Sequence, residues 1–147
     1  MTKAIYFDMD GTIANFYGVN GWLDYLKAED ATPYAQATPL LRLSALAKVL
    51  NNLQRKGYTI GIVSWLAKNS TTEFDEKVTT TKIQWLKAHL KSVHFDEIHI
   101  VKYGTPKEEV VNFPNGILFD DETPNRNNWK GEAFDESQIM EVLKGIN

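Results

Sequence analysis

Short apolar runs alternate with longer amphipathic stretches along this chain. Residues 4–8, 58–63, 98–101 and 117–119 are dense in Ile, Val, Leu, Tyr and Phe, and predict four strands, the first two buried. A shorter strand is expected at 132–134. Between the first two runs, Leu40, Leu43, Ala47, Leu50 and Leu53 recur at helical spacing. Thr38 as N-cap and Pro39 at the first helical position predict where that helix starts, and Gly57 where it stops. Ser70-Thr71-Thr72-Glu73 has the form of a capping box and opens a helix to about Leu90, with Ile83, Leu86 and Leu90 on one face. Thr105-Pro106-Lys107-Glu108 reads as a second box, and a last helix is expected near 137–144.

Residues 12–37 break the alternation, being too long for a strand-to-helix loop. They carry Phe16, Tyr17, Trp22, Tyr25 and Tyr34, with Gly18 and Gly21 as pivots. Residues 22–27 suit a short helix. The stretch reads as a small insert folded over the end of the first strand; the alternative is an aromatic-rich loop that only packs.

Strands alternating with helices predict a parallel sheet covered on both faces, with right-handed crossovers. Sites in such sheets lie beyond the C-terminal ends of the strands. The polar residues ending these apolar runs are Asp8 and Asp10, then Ser64, then Asp120 and Asp121. Acids and a hydroxyl from separate segments therefore converge on one edge. Residues i and i+2 of an extended segment share a side, so Asp8 and Asp10 are expected to project together. Such a pair stays ionised with a cation nearby, and a hard ion such as Mg²⁺ suits oxygen ligands. Gly11 lets the backbone leave the strand sharply, and Thr12 sets a hydroxyl beside the acids.

Composition narrows the reading. At 147 residues, with 43% hydrophobic and 24% charged residues, the chain suits one soluble domain of 1–147. A net charge of −3 disfavours a partner such as long nucleic acid. The absence of cysteine excludes disulfides and thiolate metal sites and fits a reducing, cytoplasmic setting. There is no leader-peptide pattern and no membrane-length apolar stretch. His89, His94 and His99 are scattered over an expected helix, loop and strand and make no ligand set.

Asp8-Met9-Asp10-Gly11-Thr12 resembles the first motif of the haloacid dehalogenase (HAD) superfamily of phosphohydrolases. Ser64, a lysine and Asp120-Asp121 follow in the family's order. The resemblance implies an α/β three-layer sandwich, with a mainly parallel Rossmann-like sheet and a small cap insert at about 12–37. It implies Asp8 as nucleophile and Asp10 as general acid/base, with Ser64 and the lysine on the substrate phosphate. Mg²⁺ would be the cofactor, held by Asp8, the Asp10 main-chain carbonyl and the Asp120-Asp121 pair, with Asp121 favoured as direct ligand.

The lysine is Lys107 or Lys102. A cation in the first turn of a helix opposes the macrodipole, so stability alone would not place Lys107 there; beside a bound phosphate it makes sense. Arg126 reads as a solvated arginine with substrate contact as the alternative. Lys82-Ile83-Gln84-Trp85-Leu86 and Leu118-Phe119-Asp120-Asp121-Glu122 resemble the small 5′-nucleotidase-like, phage-type branch. The expected function is hydrolysis of a small phosphomonoester, with a nucleoside monophosphate as candidate substrate. The competing readings are a non-catalytic phosphate- or nucleotide-binding or interaction module, and a polynucleotide-end phosphatase.

Overall fold

A computed structural model describes residues 2–147. The chain runs β1 (Ala4–Phe7), β2 (Ala14–Asn15), α1 (Trp22–Lys27), α2 (Thr32–Gln36), β3 (Thr38–Pro39), α3 (Leu43–Arg55), β4 (Thr59–Trp65), α4 (Thr72–His89), β5 (Glu97–Val101), α5 (Lys107–Val110), β6 (Ile117–Phe119), α6 (Thr123–Asn128), β7 (Ala133–Phe134) and α7 (Ile139–Ile146). Among the described residues, five strands form a parallel sheet in the order β5-β4-β1-β6-β7. β1 is central because every one of its side chains is apolar and buried on both faces. The chain builds outward from β1 to β5, then crosses back to β6 on the other side. That reversal puts the topological switch point at the C-terminal end of β1, where open α/β sheets bind ligands.

Alternation along the strands assigns the two layers. Ile5 and Phe7 pack with Leu46, Leu50 and Leu53 of α3, Trp85 and Leu86 of α4, and Ile139 and Leu143 of α7. Ala4 and Tyr6 face the other way, with Val63 and Leu118, onto Val111 and Trp129. That second layer is thin, since α5 has four residues and α6 six. No helix among the described residues is long and apolar enough to cross a membrane.

Three local expectations are corrected. Thr38 and Pro39 do not start a helix: they pair antiparallel with Asn15 and Ala14, and α3 begins at Leu43 without a side-chain cap. Pairing with β2 overrides a local Thr-Pro signal, and it leaves Leu40 half-exposed outside the helix. The cap of α4 is Thr71, whose hydroxyl accepts from Phe74 N, while Ser70 turns to Ala67 O and Asp75. Thr105 donates to Lys102 O and caps nothing.

The parallel pair Tyr6–Gly61 shows how tightly the centre is filled. A Cβ on Gly61 would stand 2.7 Å from the Tyr6 ring, whose hydroxyl donates to Glu97 at 2.6 Å. Gly61→Ala should therefore destabilise the fold by about 1–3 kcal/mol through overpacking. Urea denaturation measures it; an unchanged midpoint would show that the ring moves aside freely.

Candidate active site

Beyond Phe7 the chain leaves the sheet within a few residues. Met9 O accepts from the amides of Thr12, Ile13 and Ala14, closing a tight turn. Gly11 sits there at φ 81°, and a Cβ on it would collide with the Asp121 carboxylate. The turn separates the two acids of the motif, since Asp10 is no longer on the strand. Each takes its own lysine, from opposite faces of the sheet.

Asp8 continues the side of Tyr6, towards α5. Its Oδ1 accepts from Lys107 Nζ at 3.0 Å, and the same ammonium donates to Asp120 Oδ2 at 2.6 Å. Lys107 is buried, and these two carboxylates overcome the burial and hold its pKa above the ordinary lysine value. Lys102, the other candidate, is exposed in the loop after β5. Lys107 therefore meets the acids and Lys102 does not.

Asp120 and Asp121 occupy different positions. Asp120 is fully buried; its Oδ1 accepts from Glu122 N, and its Oδ2 also faces Asn125 Nδ2 at 3.2 Å. Asp121 is half-buried and lines the cavity described below. Thr12 Oγ1 accepts from Asp121 N and lies 3.1 Å from Asp8 Oδ2 and 3.3 Å from Asp121 Oδ1. Its one hydrogen can serve either carboxylate. Arg126 donates to Asp120 O and Thr123 Oγ1, which buttresses the loop.

Asp8, Asp120 and Asp121 each bring a carboxylate oxygen to within 4.8 Å of the others. Burial, then the charge of Asp8, pushes the Asp120 carboxyl up to about 6 and the Asp121 carboxyl to about 8. An all-oxygen set that raises its own proton affinity fits a hard divalent cation. The space that Gly11 leaves for Asp121 fits the same purpose. The Asp10 side chain, which was expected among the metal ligands, is outside this trio.

Asp10 turns to the α4 side. Its Oδ2 lies 2.9 Å from Nζ of Lys82, a lysine just 1% exposed. Burial raises the Asp10 carboxyl pKa, against the pull of that ammonium. Ser64, fully buried in β4, accepts from Lys82 Nζ at 2.8 Å and is not in the cavity wall, where the expected phosphate contact would have put it. Lys82 was missed by the sequence reading as a site residue. Its signal was its place on α4, four residues after Val78 and three before Trp85, where a helix turns an apolar stripe inward.

A cavity of about 590 Å³ opens over these groups, within the usual range for ligand sites. Asp8, Asp10, Lys107 and Asp121 are in its wall. Phe16, Tyr17, Trp22 and Tyr34 from the 12–37 stretch line it as well, and Tyr25 does not. Phe16 and Tyr34 are buried, with ring centroids 4.5 Å apart, and pack the stretch together. Tyr17 and Trp22 meet edge to face at 5.1 Å and leave more surface free. Trp65 and Tyr103, with centroids 4.9 Å apart, also line the cavity, which the sequence reading did not anticipate.

No family model matches the sequence. No curated protein matches it. Among solved structures, it is similar to a D,D-heptose 1,7-bisphosphate phosphatase from Burkholderia thailandensis. That similarity has a TM-score of 0.51 and 12% identity, over 86% of this chain and 70% of that one. At such identity the likeness is one of fold alone: a parallel sheet flanked by helices, the α/β architecture expected from the sequence.

The raised carboxyls set the direction of a pH effect. In metal-free protein, Asp120 and Asp121 hold protons when folded that they release on unfolding above pH about 4. That contribution is complete below the unfolded value and is lost as pH rises through about 6 and about 8. The melting temperature in EDTA should therefore rise as pH falls from 8 to 5, and Mg²⁺ should stabilise most at the alkaline end. A melting temperature in EDTA that climbs with pH over this window would contradict the burial of these acids.

Proposed function

We propose that the protein is a Mg²⁺-dependent phosphomonoesterase working through an aspartyl-phosphate on Asp8. The observation that carries this reading is the cavity floor: a buried carboxylate paired with Lys107, flanked by Asp121, with a second acid close by. A carboxylate nucleophile splits one hard displacement into two easier ones.

In the first step an oxygen of Asp8 bonds to phosphorus as the ester P–O bond breaks. Asp10, whose carboxyl burial pushes up in pKa, passes its proton to the departing oxygen, and the alcohol leaves. In the second step water attacks the same phosphorus and Asp10 takes its proton. The Asp8–phosphorus bond breaks, restoring the carboxylate and releasing phosphate. Lys107 keeps Asp8 in place and offsets negative charge throughout. Ser64 is fully buried and outside the cavity wall, so its part in this reading is to accept from Lys82 and not to meet the phosphate directly. Asp8, Asp121 and the Asp10 carbonyl would hold Mg²⁺, with Asp120 in support because both its oxygens are already engaged. The bound ion supplies charge neutralisation between the anionic nucleophile and the anionic phosphate.

For the substrate, we infer a small phosphate ester whose alcohol carries a flat ring, with nucleoside monophosphates as the leading class. Two aromatic pairs in the cavity lining, Tyr17 with Trp22 and Trp65 with Tyr103, support this. The residues around 12–37 would act as a small cap over the phosphate.

Asp8→Asn should abolish hydrolysis of 4-nitrophenyl phosphate without unfolding the protein, and EDTA should do the same reversibly. Activity that survives either treatment would remove the reading. Stacking on an aromatic ring is worth roughly 1–3 kcal/mol per base, so Trp22→Ala or Tyr17→Ala should raise KM for nucleoside monophosphates by about tenfold. KM for a small alkyl phosphate should stay within about twofold. Equal changes for both substrates would show that the rings only pack.

A further inference from the structure

The mechanism above leaves one buried charge without a task. Lys82 rises from the middle of α4 into the sheet's edge, and its Nζ has three contacts: Asp10 Oδ2 at 2.9 Å, Ser64 Oγ at 2.8 Å and Trp65 O at 2.7 Å. An ammonium has three hydrogens, so all are used. The Tyr34 ring, its centroid 5.2 Å from Nζ, covers the charge, and Tyr34 is itself buried. A lysine on an apolar helix face is costly to bury, and an apolar residue there would pack as well. Its arrangement therefore points to chemistry.

We propose that Lys82 is the positioning residue for the proton-transfer half of the site; this rests on the phosphatase reading given above. The main-chain bond to Trp65 O fixes Nζ to the end of β4. The bond to Asp10 then commits Oδ2 as an acceptor and leaves Oδ1 to carry the transferable proton. The bond to Ser64 fills a lone pair of the hydroxyl, so the Ser64 hydrogen points away from the lysine. One ammonium, anchored on Ser64 and on the end of β4, thus orients the leaving-group acid. Lys107 does the corresponding work for the nucleophile from the other face of the sheet.

The test uses Lys82→Met, which keeps the length and loses the hydrogens. General acid catalysis contributes about 10²–10⁴-fold and matters most for poor leaving groups. Single-turnover cleavage of an alkyl phosphate should slow by about 100-fold or more, and that of 4-nitrophenyl phosphate by less than about tenfold. In an Asp10→Asn background the same substitution should add little, because the group it positions is gone. Equal losses with both leaving groups, or losses that multiply in the double variant, would overturn the inference. If Lys82→Met alone does not fold, the double variant should, having no unpaired buried carboxylate; a double variant that also fails makes the lysine structural and overturns the inference. Wild-type protein inert towards both phosphates removes the phosphatase reading and this inference with it, whereas active wild type with equal losses removes this inference alone.

Discussion

Buried carboxylates crowded at the end of one parallel sheet are the constraint on which the rest of this structure depends. Asp8, Asp120 and Asp121 lie within ligand reach of one another, and Asp10 is in the same floor. Like charges at that spacing cannot all ionise without compensation. Two lysines supply part of it, one through each face of the sheet. Removing one partner of such a buried pair typically costs about 3–5 kcal/mol, because the other charge stays behind. The helices that bring the lysines are therefore as much a part of the site as the strands that bring the acids. Asp121, which no lysine among the described residues meets and whose carboxyl is pushed up to about 8, is what a divalent cation would satisfy.

The stretch after β1 completes the enclosure. β2 and β3 pair at its base, and Trp85 Nε1 donates to Ala37 O, tying its end to α4. Phe16, Tyr34, Leu66, Phe74 and Val78 form a separate apolar cluster that seats it on the N-terminal half of α4. The same helix therefore carries both the seat for the aromatic wall and Lys82 beneath it. Cavity-lining rings and the Lys82–Asp10 pair share one rigid support.

Much of this was legible in the sequence, for reasons that differ by residue. β1, β4 and β6 are apolar on both faces, a pattern that central parallel strands impose directly. Asp8, Asp120 and Asp121 were visible because an acid that ends an apolar strand falls on the sheet edge where α/β folds bind ligands. Lys107 was separable from Lys102 by its conflict with the helix dipole. Thr38 and Pro39 were misread because a helix-start signal is local, while the pairing with Asn15 and Ala14 spans more than twenty residues. The expected side-by-side projection of Asp8 and Asp10 assumed that the strand continued to Asp10; the turn at Met9–Ala14 ends it sooner. Lys82 escaped notice as a site residue because its partners come from β4 and from the loop after β1, distant in sequence. A lysine on an inward helix stripe was the one available hint. The Trp65–Tyr103 wall had no local signature at all, since it forms from two loop-proximal positions on neighbouring strand ends.

A covalent bond from Asp8 to phosphorus is the step on which the proposed function rests. The direct measurement is rapid acid quench of Asp10→Asn protein after mixing with Mg²⁺ and 4-nitrophenyl phosphate, followed by peptide mass spectrometry. With water activation crippled, a phosphoryl adduct should accumulate on the peptide containing Asp8. It should be lost on treatment with hydroxylamine, as an acyl phosphate is, and be absent in Asp8→Asn. Nitrophenol released with no adduct on that peptide, or an adduct elsewhere, would contradict Asp8 as the nucleophile.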